Sequence, residues 1–231
     1  MGGSSPMREK RPDPTRAPNL TDITQTLMEG LRESLCPDKI GLFHHLLRLL
    51  AKGNPVSVDQ VSATLHLSLS DIAAALGKLR NVEFDQGGNI VGAGITLNPT
   101  RHRFEVNGQM LFTWCAMDTL IFPMILNQTA HVTSTCPATG AMIRLTVAPL
   151  GVERLEPADA VVSLPRLSGA CCDVRADFCD QVHFFNSSDS GSAWLSERPG
   201  ATLLSVDDAW RIGDVLAGSL FSNGSEGGRG P

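Results

Sequence analysis

Apolar residues recur at helical spacing through the first third of the chain and alternate with polar ones through much of the rest. Ile23, Leu27 and Leu31 follow Thr21 and Asp22, either of which suits an N-cap, and predict a first helix. A second helix is predicted from Asp38, carrying Leu42, Leu46, Leu47, Leu49 and Leu50 and stopped by Gly53. Ser57, with Gln60 three residues on, is a capping-box start for a helix bearing Val61 and Leu65. Ser70 is predicted to cap another, with Ile72, Ala75, Leu76 and Leu79. The stretch Val82–Val91 then turns at Gly87-Gly88 as a hairpin. Two short helices followed by a hairpin form a winged helix-turn-helix pattern.

From about residue 98 the period changes. Arg103–Val106 and Met110–Thr113 flank Asn107-Gly108, a strong hairpin signal. A helix is expected from Ala116 to Leu126, interrupted or kinked at Pro123. Ala130–Thr135, Met142–Val147, Val161–Leu164 and Gln181–Phe185 read as strands, with a short helix between Gly169 and Phe178. Ser205 is placed to cap a last helix with Val206, Trp210, Ile212, Val215 and Leu216. The expected fold class is therefore α+β. Residues 1–20 are expected to form a disordered tail and 21–97 a helical winged-helix-like domain, with 98–221 as a mixed sheet and helix domain and 222–231 as a flexible tail. Strand order carries no signal in a single sequence.

Composition narrows the classes. A formal net charge of -5 argues against broad nucleic-acid or anionic-membrane binding. No stretch reads as a signal peptide or membrane span; Met110–Leu126 is the most apolar, but it is too short and carries Asp118. A cytoplasmic protein is expected, with its six cysteines as reduced thiols open to metal or nucleophilic chemistry.

Two segments carry the chemistry. In Trp114-Cys115-Ala116-Met117-Asp118 a strand gives way to a helix, so Cys115 faces the positive end of a helix dipole, which is expected to lower its thiol pKa. Asp118, three residues on, shares its face and can exchange a proton with it. The same spacing fits a buried core cysteine followed by a helix-start aspartate. In Phe178-Cys179-Asp180-Gln181-Val182-His183-Phe184-Phe185, Cys179 sits where helix meets strand, with Gln181 and His183 as its alternation partners; His183 reads as a hydrogen-bonded core histidine. Cys136-Pro137-Ala138-Thr139-Gly140 looks like half a zinc knuckle, but Thr139 stands where a second cysteine is needed, so Cys136 reads as structural. Cys171 and Cys172 are adjacent and undecided, and Cys36, before Pro37, has no expected role. These residues alone support a reduced-thiol enzyme or a soft-metal binder.

The segment Trp114–Pro123 resembles the signature of the organomercurial (alkylmercury) lyases. Asp173-Val174-Arg175, Phe178-Cys179 and Val182–Phe185 resemble that family's second active-site segment, and Phe84–Leu97 and Thr139–Val147 add to the likeness. The resemblance implies protonolysis of alkyl- and aryl-mercury compounds to a hydrocarbon and Hg(II), with Cys115, Asp118 and Cys179 as the catalytic trio. The same three would bind mercury as substrate and product. It implies no cofactor, a need for external small thiols, and hand-off of Hg(II) to a mercuric reductase, without nucleic-acid or membrane partners. Some relatives carry a further cysteine where this chain has Asp180. The alternatives are a cysteine-based metal-sensing winged-helix regulator, disfavoured by Asp71, Glu83 and Asp85 beside Lys78 and Arg80, and a passive mercury scavenger. Substrate preference, oligomeric state and the order of cysteine attack stay open.

Overall fold

The computed structural model describes residues 19–31, 37–79, 81–167 and 173–221. Expectations for the two tails, for Arg80 and for Cys36, Cys171 and Cys172 fall outside these residues, apart from Asn19 and Leu20.

The N-terminal part holds α1 (Leu20–Leu31), α2 (Pro37–Leu50), α3 (Val58–Leu65) and α4 (Leu69–Lys78), followed by the wing strands β1 (Glu83–Phe84) and β2 (Ile90–Ala93). The capping box at α3 forms as expected: Ser57 Oγ accepts the Gln60 amide at 3.2 Å, and the Ser57 amide donates to Gln60 Oε1 at 2.8 Å. At α4 the cap is Ser68, whose Oγ accepts the Asp71 amide at 3.1 Å; Ser70 lies inside the helix. The displacement has a simple cause. Leu69, at the first helical position, points to solvent, so the apolar periodicity begins only at Ile72.

Next come β3 (Ile95–Thr96), β4 (His102–Val106), β5 (Gln109–Thr113), α5 (Ala116–Leu126), β6 (Ala130–Thr135), β7 (Met142–Ala148) and β8 (Gly151–Glu156). The strands form one antiparallel eight-stranded sheet, β1-β2-β3-β5-β4-β6-β7-β8, so the wing is the edge of the same sheet that carries the core. The β4–β5 turn is built as expected: Asn107 and Gly108 both have positive φ, at 52° and 69°. On β4, β6 and β7 alternate residues turn inward, among them Phe104, Val106, Val132, Leu145 and Val147. The buried helix α5 packs on this face and runs unbroken through Pro123, contrary to the expected interruption. Burial of Met117, Leu120, Phe122 and Ile125 holds the helix where a lone proline would weaken it.

The last part holds β9 (Val161–Leu164), α6 (Val174–Asp177), β10 (Phe184–Phe185), α7 (Ser188–Leu195), β11 (Thr202–Ser205) and α8 (Val206–Phe221). A second sheet has the order β10-β9-β11. The strand expected over Gln181–Phe185 shrinks to two residues, because Cys179–Gln181 form a 3-10 turn. Ser163 Oγ replaces the ladder there, donating to the Gln181 carbonyl at 2.8 Å and accepting the His183 amide at 3.0 Å. Ser205 caps α8 as expected, accepting the Asp208 amide at 3.1 Å. Helix α8 packs against α5, α1 and α2, so helices from both ends of the chain close over one core.

Gly94, between β2 and β3, is where the wing meets that core. Its φ is +79°, its carbonyl accepts the Trp114 amide at 3.1 Å, and an added Cβ would lie 2.7 Å from Phe122 Cζ and 3.3 Å from Phe43 Cζ. Gly94→Ala combines left-handed strain with overpacking and is expected to lower unfolding free energy by about 2–4 kcal/mol. Urea titration of the variant measures this; an unchanged midpoint would contradict the packing described.

Candidate active site

Cys115 sits between β5 and α5 in extended conformation, φ -143° and ψ 171°, as the N-cap residue of the helix. Its carbonyl accepts the Thr113 hydroxyl at 3.0 Å. Its amide donates to Asp118 Oδ2 at 3.1 Å, which folds the carboxylate back over the start of α5. The other cysteine arrives from a different region. Asp173 caps α6 through the Ala176 amide at 3.0 Å, and α6 runs into the 3-10 turn that begins at Cys179. Gln181 Nε2 braces that turn on the Asp177 carbonyl at 3.0 Å. The two segments are stitched together by the Ala116 amide, which donates to the Val182 carbonyl at 3.1 Å.

The result brings Cys115, Asp118 and Cys179 together, with two sulfurs and a carboxylate oxygen all within 4.8 Å of one another. Donors about 2.3 Å from a shared ion sit at most about 4.6 Å apart, so this group needs no more than a small adjustment to hold one thiophilic metal. Both sulfurs are buried, at 0% and 2% exposure, while Asp118 keeps a partial opening to solvent.

Burial governs the protons. It pushes the Cys115 thiol well above its ordinary range, aided by the hydrogen bond to Cys179 and the Asp118 charge. For Cys179 the hydrogen bond from Cys115 favours the thiolate, but burial and the charges of Asp118 and Asp180 outweigh it and leave the pKa raised. Burial lifts Asp118 to about 7, against the opposing pull of its hydrogen bonds to Cys115 and Trp114 and of the Arg175 charge. The lowered thiol pKa expected from the helix dipole is therefore not found at Cys115. A dipole contributes on the order of 1 kcal/mol, whereas full burial moves a pKa by up to several units. Moreover, the first amide of α5 is already taken by the Val182 carbonyl.

Arg175, Trp114 and Glu83 surround this group and were not among the expected site residues. Glu83 and Arg175 form an ion pair, and the Arg175 guanidinium lies 5.0 Å from the Trp114 ring centroid. No local pattern links Glu83 to a partner 92 positions away. Cys136 stays outside the group. Burial would raise its thiol pKa, but the Thr139 hydroxyl and the Asn186, Thr139 and Ala138 backbone bring it below the ordinary value. Among the described residues Cys115, Cys136 and Cys179 are free thiols.

The sequence model described as Alkylmercury lyase matches residues 95–218, and the one described as the Helix-turn-helix domain of alkylmercury lyase matches residues 22–94. The chain belongs to the alkylmercury lyase family. Curated alkylmercury lyases resemble it over most of their length. That of Streptomyces lividans is 49% identical over 181 residues, 78% of this chain and 84% of the relative. That of Pseudomonas putida is 42% identical over 204 residues, 88% and 96% of the two chains. A crystal structure of the mercury-bound form of MerB2 shares the fold, with a TM-score of 0.71 and 22% identity over 87% of this chain and 98% of that one. No helix among the described residues is long and apolar enough to cross a membrane.

His183 is not a partner of Cys179 on a strand, since the 3-10 turn breaks that alternation. Its ring stacks on His102, with centroids 6.3 Å apart and planes at 13°, and its buried Nδ1 has no hydrogen-bond partner among the described residues. Burial lowers its pKa from 6.5 to about 4, and that of buried His102 well below 6.5. Below about pH 6.5 the unfolded chain binds protons that the folded one excludes. The stability held by neutral His183 is therefore complete near neutrality and is lost as pH falls toward 4. Asp118 pulls the other way, so the histidine contribution is read against His183→Gln. The native chain should lose about 2 kcal/mol relative to that variant between pH 7 and 4.5, measured by urea unfolding at each pH. A constant difference would mean that His183 is already solvated.

Proposed function

We propose that this chain cleaves the carbon–mercury bond of alkyl- and aryl-mercury cations by protonolysis, yielding a hydrocarbon and Hg(II). The observation that carries the reading is the Cys115–Asp118–Cys179 group, with both cysteines buried and the carboxyl pushed up to about 7. Mercury is soft, and thiolate sulfur is the protein ligand that suits it. Two thiolates donate charge to the metal and weaken its bond to carbon. Both thiols lose their protons as they bind. One proton passes through Asp118 to the departing carbon, and the other leaves to solvent. Mercury remains Hg(II) throughout, so no electrons need a carrier. A carboxyl that titrates near neutrality can both accept a proton from a thiol and return it.

In this reading external thiols remove Hg(II) from the two sulfurs and pass it to a mercuric reductase in the cytoplasm. The wing serves the enzyme in this reading, since the Glu83 carboxylate is taken up by Trp114 and Arg175 beside the two cysteine segments.

The test is incubation of the protein with an organomercurial and excess small thiol, with headspace gas chromatography for the hydrocarbon. Stoichiometric or catalytic release is expected. Mercury held without hydrocarbon would make the chain a scavenger and overturn the proposal.

A further inference from the structure

The side chain of Glu83, on wing strand β1, reaches the place where the two cysteine-bearing segments converge. Its Oε1 accepts the indole N–H of Trp114 at 2.9 Å and pairs with Arg175. Its Oε2 accepts the Thr96 hydroxyl at 2.5 Å and the Asn98 side-chain Nδ2 at 2.8 Å. Four donors satisfy the acceptor capacity of one carboxylate, and they fix its orientation. Trp114 is bonded directly to Cys115. Arg175 belongs to α6, which is only four residues long and leads into the turn of Cys179. So short a helix has little stability of its own and takes its place from its contacts. The stack of Arg175 on Trp114 closes a triangle of three side chains.

The backbone makes room for this carboxylate. Gly92 stands opposite Glu83 in the β1–β2 register, and a Cβ there would lie 2.8 Å from Glu83 Cδ and 2.9 Å from Thr96 Oγ1. Any other residue at 92 would push the carboxylate from its partners. The Glu83 side chain is only 15% exposed, and the strand it pairs with, β2, is buried along its length.

We propose that Glu83 is a positioning residue for carbon–mercury cleavage: through Trp114 and Arg175 it holds the Cys115 and Cys179 segments at the separation that one mercury atom bridges. The proposal rests on the cleavage reading above and extends it to the N-terminal part of the chain. It makes the wing a structural part of the active site.

The test compares Glu83→Ala, Glu83→Gln, Arg175→Gln and the Glu83→Gln/Arg175→Gln double variant. Each is assayed for hydrocarbon release (kcat and KM separately), for Hg(II) stoichiometry, and for the ultraviolet absorption of the mercury–thiolate centre. Circular dichroism and thermal unfolding report the fold. A displacement of about 1 Å at reacting groups costs on the order of 10²-fold, so Glu83→Ala is expected to lose about that much kcat with KM changed far less. Its mercury–thiolate absorption should shift while one Hg(II) still binds. Glu83→Gln keeps an acceptor for Trp114 and Thr96 and should recover part of the loss. The double variant should be no worse than the more impaired single, because both substitutions break one unit.

If Glu83→Ala does not fold, the Glu83→Gln and Arg175→Gln cycle decides by itself. A folded Glu83→Ala with native kcat, or additive losses in the cycle, overturns the proposal while a releasing native chain leaves the cleavage reading intact. A native chain that releases no hydrocarbon overturns both.

Discussion

Cys115→Ser and Cys179→Ser are each expected to abolish nearly all hydrocarbon release from a protein that still folds. The two sulfurs belong to one donor group within 4.8 Å, and the proposed reaction uses both to weaken the carbon–mercury bond. A serine hydroxyl is a hard, weakly donating ligand with a far higher pKa and cannot replace thiolate on a soft metal. Residues that act as a unit are strongly non-additive, so the double variant should be little worse than either single. The structural cost is smaller. Each buried hydroxyl has polar neighbours in the remaining thiol and Asp118, so the loss should stay below the ~1–3 kcal/mol of an unsatisfied buried group. Cys136→Ala, Cys36→Ser, Cys171→Ala and Cys172→Ala should keep release. Single-turnover gas chromatography on all six variants makes the comparison. Full release from Cys115→Ser or Cys179→Ser removes that residue from the site, and loss in any of the other four with an intact fold enlarges it.

The second large effect concerns Asp118. Asparagine matches aspartate in shape and can still accept the Cys115 amide, so Asp118→Asn should leave the start of α5 in place. The amide carries no transferable proton near neutral pH. If Asp118 returns the proton to carbon, release should fall by roughly 10²- to 10⁴-fold, the usual range for a positioned acid or base. Hg(II) should still bind, because both thiols remain. The pH dependence adds a further sign. In the native chain Asp118 titrates at about 7, because burial disfavours its charge. Single-turnover rates should bend near that pH, and the bend should vanish in Asp118→Asn. Paired measurements of Hg(II) binding and hydrocarbon release settle the role. Near-native release would transfer the proton to water and leave the carboxylate as a helix cap.

Much of the secondary structure was legible in local pattern. The Ser57 capping box, the Asn107-Gly108 turn and the two ends of helix α5 depend on neighbouring residues and on periodicity, and these formed as read, although α5 continues through Pro123. The elements that escaped notice lack such signals. Strand β8 is a largely exposed edge strand, β11 runs directly into α8, and the serine-rich α7 buries only Gly191. The expected strand before Phe184 gave way to a 3-10 turn, because Ser163 on a distant strand takes up its backbone groups.

The sequence by itself determined the α+β class and the winged pattern, which depend on residue type and short-range spacing; it pointed to Cys115, Asp118 and Cys179 as a trio only through its resemblance to a family. Only the tertiary structure decided what those residues experience. Cys115 and Cys179 are both buried where the start of α5 meets the turn that carries Cys179. That burial raises the Cys115 pKa where the helix start alone predicts a fall. Chain folding also brings Cys179 to Cys115 through the Ala116–Val182 hydrogen bond, and it turns a wing carboxylate inward to Trp114 and Arg175. Desolvation and long-range contact depend on the whole surrounding volume, and a linear pattern of side chains does not encode that volume locally.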